Sequence, residues 1–88
     1  MSTLHIFSKP LGYYNTDQLV NLIQSTDKVL LLSDACFAIA QFRQLATHLL
    51  ILADDAKVRD ITINQPDHSL SYDDFVALTL ATSHSITW

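Results

Sequence analysis

The sequence predicts an α/β fold with a mainly parallel sheet and right-handed crossovers. Three observations carry that expectation. Short apolar runs of strand length alternate along the chain with segments of helical periodicity. The run at 29–32 shows no polar alternation, as a strand covered by helices on both faces should. Two capping signatures, at Asn15 and Ser71, mark helix starts between such runs.

Leu4, Ile6 and Phe7 form the first apolar segment, ended by Lys9-Pro10 and Gly12, and read as a strand followed by a loop. Asn15 caps a first helix over 17–25, where Leu19, Val20, Leu22 and Ile23 share a face. Thr26-Asp27-Lys28 turns into the leucine-rich strand at 29–32. Ser33 or Asp34 then caps a second helix over 35–45, whose first half is small and apolar almost all round. The run 48–53 is a third strand, and Asp54-Asp55 cap a short helix carrying Lys57 and Arg59. Residues 61–63 form a weak strand, and 64–67 form a polar loop. Ser71 opens a last helix with Phe75, Val76, Leu78 and Leu80, and the chain closes on Ile86-Thr87-Trp88.

Composition bounds the possible functions. Residues 1–88 support a single domain. Of these, 49% are hydrophobic and only 16% charged, against about 25% charged in an average globular protein. A domain this small buries only about two-thirds of its unfolded surface. Some apolar surface is therefore expected to be covered by partner chains. The net charge of −4 and five scattered basic residues (Lys9, Lys28, Arg43, Lys57, Arg59) argue against direct nucleic-acid binding. One cysteine cannot form an intrachain disulfide, which fits a reducing compartment. With no basic-then-apolar leader and no run of ~18 apolar residues, a cytoplasmic chain without a membrane span is expected. A single glycine excludes the glycine-rich nucleotide-binding loops, and no cofactor is expected.

In parallel sheets, sites collect beyond the strands' C-terminal ends. Segments 8–12, 33–37 and 53–56 qualify. The second holds Cys36, where a helix start could stabilise a thiolate able to carry persulfide sulfur. Asp34 opposes that by charge, and Phe37, Ala38 and Ile39 suggest burial, so Cys36 reads first as core filling. The histidines (His5, His48, His68, His84) lack paired spacing, and no metal site is expected. His5, among apolar neighbours, reads as a hydrogen-bonded core group before an interface residue. Asp54-Asp55 read as a cap before an acid/base pair. Tyr13, Tyr14, Tyr72 and Trp88 are candidate interface anchors, because aromatics are enriched at contact cores.

Leu4-His5 followed by Pro10, the stretch from Asp27 through the leucine run to Asp34, Asp54-Asp55 with Arg59, Tyr72-Asp73-Asp74-Phe75-Val76-Ala77-Leu78-Thr79 and Trp88 recur in one order. Together they resemble the TusB/DsrH family of sulfur-relay subunits over the whole chain. Thr26 stands where the family has glycine, Lys9 where serine is usual, and Ala35-Cys36 where glycine and an aliphatic residue are usual. The resemblance implies a Rossmann-like three-layer α/β/α fold of the DsrE/F/H type with four to five strands. It implies a heterohexamer, a dimer of heterotrimers, with TusC-like and TusD-like partners that passes persulfide sulfur toward 2-thiouridine at the tRNA wobble position. It places the main sulfur-accepting cysteine on the TusD-like partner and gives the TusB-like subunit a largely structural role. Some DsrH members carry a cysteine in the first helix. The helix at 17–25 has none, so Cys36 inherits no role. The alternative is a stand-alone sulfurtransferase using Cys36.

Overall fold

The computed structural model describes residues 3–24, 26–46, 49–63, 67–82 and 84–88. Ser25, His48 and residues 64–66 of the expected polar loop lie outside them. Five strands, β1 (Thr3–Phe7), β2 (Lys28–Leu31), β3 (Leu49–Leu52), β4 (His68–Leu70) and β5 (His84–Thr87), form one sheet in the order β4-β3-β2-β1-β5. Every pairing is parallel. The helices are α1 (Thr16–Leu22), α2 (Ile39–Phe42), α3 (Ala53–Val58) and α4 (Tyr72–Ala81).

The strand order explains the layers. From β1 to β4 the chain steps outward in one direction, and right-handed crossovers put the connecting helices on one face. Leu19 and Ile23, Phe42 of α2 and Ala56 of α3 pack there on Phe7, Val29, Leu31, Leu49 and Ile51. Between β4 and β5 the chain reverses direction, so the same handedness sends α4 to the opposite face. There Phe75 and Leu78 pack on Leu4, Ile6 and Leu30. The non-alternating leucine strand follows directly: Val29, Leu30 and Leu31 are fully buried from both sides.

Among the described residues, α4 is therefore the one helix on its face of the five-stranded sheet. Leu32, Leu50 and Leu70 remain half-buried on that face, and α4 has no buried residue. Tyr72, Val76 and Leu80, one turn apart, stand 61%, 40% and 82% exposed.

Both capping signatures form. Asn15 Oδ1 accepts the Gln18 N–H at 3.3 Å, and Ser71 Oγ accepts the Asp74 N–H at 3.1 Å. The first helix ends at Leu22 rather than 25, and it buries Leu19 with Ile23 at its C-cap while Val20 and Leu22 face outward. The helix expected over 35–45 is instead a 3-10 helix at Ser33–Ala38 followed by the short α2. Its burial has a period of three. Ala35 and Ala38 face the core, while Asp34 and Phe37 face out, as three residues per turn require.

The weak strand expected at 61–63 does not form; the fourth strand is His68–Leu70. Ile61 is used to close α3. Its N–H bonds to Ala56 O at 2.9 Å, and the Asp60 N–H bonds to Lys57 O at 3.1 Å. That pair of bonds is a Schellman ending. Asp60 sits at φ 57°, in the left-handed slot usually filled by glycine. Asp67, expected in a polar loop, is buried and paired with Arg43 beyond α2.

Candidate functional site

The three segments singled out in the sequence follow adjacent strands β1, β2 and β3, so the fold places them at one edge of the sheet. At its centre the chain leaves β2 through Ser33, held at φ 51°. The Asp55 carboxylate accepts the Ser33 N–H at 2.7 Å and supports this left-handed turn. Asp54 and Asp55 do not cap α3 through their side chains: its N-cap, Leu52, has no side-chain capping bond. Both lie in its first turn, where negative charge complements the helix dipole.

Arg59 ties the two connections together. Its Nε donates to Asp34 Oδ1 at 3.1 Å and its Nη1 to the Asp55 carbonyl at 3.1 Å. The guanidinium lies 5.9 Å from the centre of the exposed Phe37 ring. Asp55 and Arg59 were legible as a pair four residues apart. Their use across β2 and β3, rather than within α3, was not.

Cys36 lies beneath this lattice at 1% exposure, with its thiol 3.9 Å from the Leu31 carbonyl. Burial, together with the Asp55 carboxylate, pushes the thiol up to about 11, with Arg59 partly opposing. From an ordinary value of 9.0, that lowers the thiolate fraction near neutral pH by roughly a hundredfold. Thiol-labelling kinetics on the folded chain should accordingly be slow, accelerating only under denaturing conditions. Intact mass after exposure to a persulfide donor should match a Cys36→Ser control. Rapid native labelling, or a sulfur adduct absent from the control, would contradict this geometry.

A second polar cluster lies where β1 meets β5. His5 is buried, at 2% exposure. Its Nε2 is 3.0 Å from Asp27 Oδ2, and its Nδ1 accepts the Trp88 indole N–H at 3.1 Å. Asp27 also accepts the Thr3 N–H at 3.0 Å and the Gln24 N–H at 3.1 Å. Burial alone would raise the Asp27 carboxyl. Its hydrogen bonds with His5, Gln24 and Thr3 outweigh that and hold it below the usual value. His5 is the hydrogen-bonded core group the sequence suggests, but its pairing with Asp27 is not readable from the sequence, because the two residues are 22 positions apart.

The aromatic candidates divide. Trp88 stacks on Phe7 and His5, each with ring centres 6.1 Å away, and donates its backbone N–H to Ile6 O. Tyr14 meets Phe7 edge-on at 5.1 Å and donates its hydroxyl to the Trp88 carbonyl at 3.4 Å. These two side chains pack within the domain itself. Tyr13 and Tyr72 are 70% and 61% exposed. Among the described residues no group of His, Cys, Asp or Glu is arranged to hold a metal ion, and no helix is long and apolar enough to cross a membrane.

These features define a small three-layer α/β domain with an all-parallel sheet, whose strand-end loops are tied by the Arg59–Asp34 ion pair and two side chain–backbone hydrogen bonds over a buried thiol. A family model described as DsrH like protein matches residues 10–85, and the chain belongs to that family. Membership makes it a sulfur-relay subunit in general. No curated protein matches the chain.

Proposed function

We propose that this chain is the TusB-like, mainly structural subunit of a cytoplasmic TusBCD-like complex. That complex passes persulfide sulfur toward 2-thiouridine at the tRNA wobble position. TusC-like and TusD-like chains are its partners, and the sulfur-accepting cysteine belongs to a partner. The observation that carries this reading is the thin cover of the α4 face. A five-stranded sheet face under one helix leaves Leu32, Leu50 and Leu70 half-buried, and leaves Tyr72, Val76 and Leu80 exposed as a stripe. Such a surface gains most by burial against another subunit. The packed, protonated state of Cys36 supports a structural role over the stand-alone sulfurtransferase, since burial and the Asp55 carboxylate outweigh the opposing Arg59 charge.

Co-expression with TusC-like and TusD-like proteins should give one co-eluting species containing all three. The double variant Val76→Asp/Leu80→Asp should keep the fold, since both side chains face outward, and weaken association by roughly tenfold or more if the stripe lies at a contact core. A wild-type chain that elutes alone from every pairing would overturn the reading. A complex that tolerates both aspartates would remove α4 from the interface.

A further inference from the structure

We propose that His5 is a proton-gated latch for the last strand: the neutral imidazole holds Trp88 on the sheet, and the protonated one cannot. An indole N–H only donates, and an ionised carboxylate only accepts. With Trp88 Nε1 3.1 Å from His5 Nδ1 and Asp27 Oδ2 3.0 Å from Nε2, one tautomer satisfies both neighbours. Nδ1 carries the lone pair, and Nε2–H donates to Asp27. A further proton has only Nδ1 to bind, where it meets the indole N–H head-on. Asp27 keeps its partner, while Trp88 loses its acceptor.

That loss frees the indole at the end of a lightly held edge strand. His84, Ser85, Ile86 and Thr87 are all exposed, and β5 pairs with β1 alone at the sheet edge. Its firm attachments are that ladder, the Trp88 N–H to Ile6 O, the ring stack over Phe7 and the Tyr14 hydroxyl on the Trp88 carbonyl. His5 and Trp88 line a cavity of about 380 Å³ with Thr3, Leu22, Gln24, Asp27, His84 and Ile86. Among the described residues, the titratable groups that share this cavity with His5 are Asp27, from the lead into β2, and His84, from β5 itself. The other described groups around it are uncharged. Asp27 is held below the ordinary carboxylate value, so its carboxylate is ionised throughout the mildly acidic range.

Trp88 is the chain's single tryptophan, so its emission reports the latch directly. The test titrates the full chain from about pH 8 to about pH 5, the span in which histidine changes charge. Tryptophan emission, indole-proton exchange and His5 imidazole ¹⁵N shifts are followed together. The neutral state should show the Nε2–H tautomer. On acidification the emission should shift to the red and indole exchange should quicken by about tenfold, one hydrogen bond's worth, with far-UV circular dichroism unchanged. His5→Gln offers one acceptor and one donor but does not titrate, and it should abolish both changes. His84→Gln should leave them in place.

Emission that stays constant while His5 titrates, a shift that persists in His5→Gln, or one that vanishes only in His84→Gln would overturn the proposal. A shift accompanied by loss of the circular dichroism signal would also overturn it. If His5→Gln does not fold, the stability gap between wild type and Trp88→Phe is measured by urea unfolding at both ends of the titration. The gap should narrow in acid, and a constant gap would refute the latch.

Discussion

Replacing Phe7 by alanine is expected to remove about 3 to 5 kcal/mol of folding stability, the usual cost of truncating a buried aromatic side chain. Phe7 is fully buried. It joins the ring cluster from three directions: Phe42 of α2 at 4.9 Å, Tyr14 at 5.1 Å and Trp88 at 6.1 Å. The cavity left behind would border β1, which lies between β2 and the edge strand β5, so neither side of the sheet can collapse freely into it. A small domain has only about 5 to 15 kcal/mol in total. The loss should appear as a large fall in the urea midpoint, or as failure to fold near the lower end of that range. A cost below about 1 kcal/mol, the size of a surface change, would mean that Phe7 is not the centre of this cluster.

The second large effect is expected at Asp27. Asp27→Ala leaves the Thr3 and Gln24 backbone donors and the His5 Nε2–H without their shared acceptor. The buried His5 donor and the part-buried Thr3 donor each cost about 1 to 3 kcal/mol when unmet, while water replaces the acceptor at the exposed Gln24 N–H, so a loss of roughly 3 kcal/mol is expected. The wild-type advantage should also depend on pH in a defined direction. Because the folded carboxyl lies below its ordinary value of 3.8, its contribution is fully present above that value and is lost as pH falls through the lower folded value. Urea unfolding of wild type and Asp27→Ala, repeated from neutral to strongly acidic pH, should show the gap closing only in the acid range. A gap of equal size throughout would mean that the carboxylate's charge does not contribute.

These two residues were not equally legible. Phe7 belongs to an apolar run and is readable as core, whereas Asp27 reads as a turn residue and as the start of a family-like stretch, with no partner indicated. Its significance depends on Thr3 and His5, which reach it only when β1 and β2 pair in register. The same contrast holds at the candidate site. Cys36, Asp34, Asp55 and Arg59 were all visible, and so was their position at strand ends. The 3-10 path through Ser33–Ala38, which turns Cys36 inward, was not, because small apolar residues suit either kind of helix. Ile61 was misread as a strand residue because the left-handed slot before it holds Asp60 rather than the glycine that marks most such helix ends.

By itself the sequence determined the α/β class, both capped helices and the doubly covered leucine strand. Each of these is written in contacts between residues a few positions apart. Its motif order also determined the family. Only the tertiary structure decided which thiol, carboxylate and aromatic groups meet. His5 and Trp88 are 83 residues apart in sequence, and they touch because the last crossover returns β5 to the far side of β1. That same reversal put α4 on the opposite face from the other described helices, which no local pattern records. Strand order is a property of long-range pairing, and pairing depends on which buried surfaces fit once every element is in place.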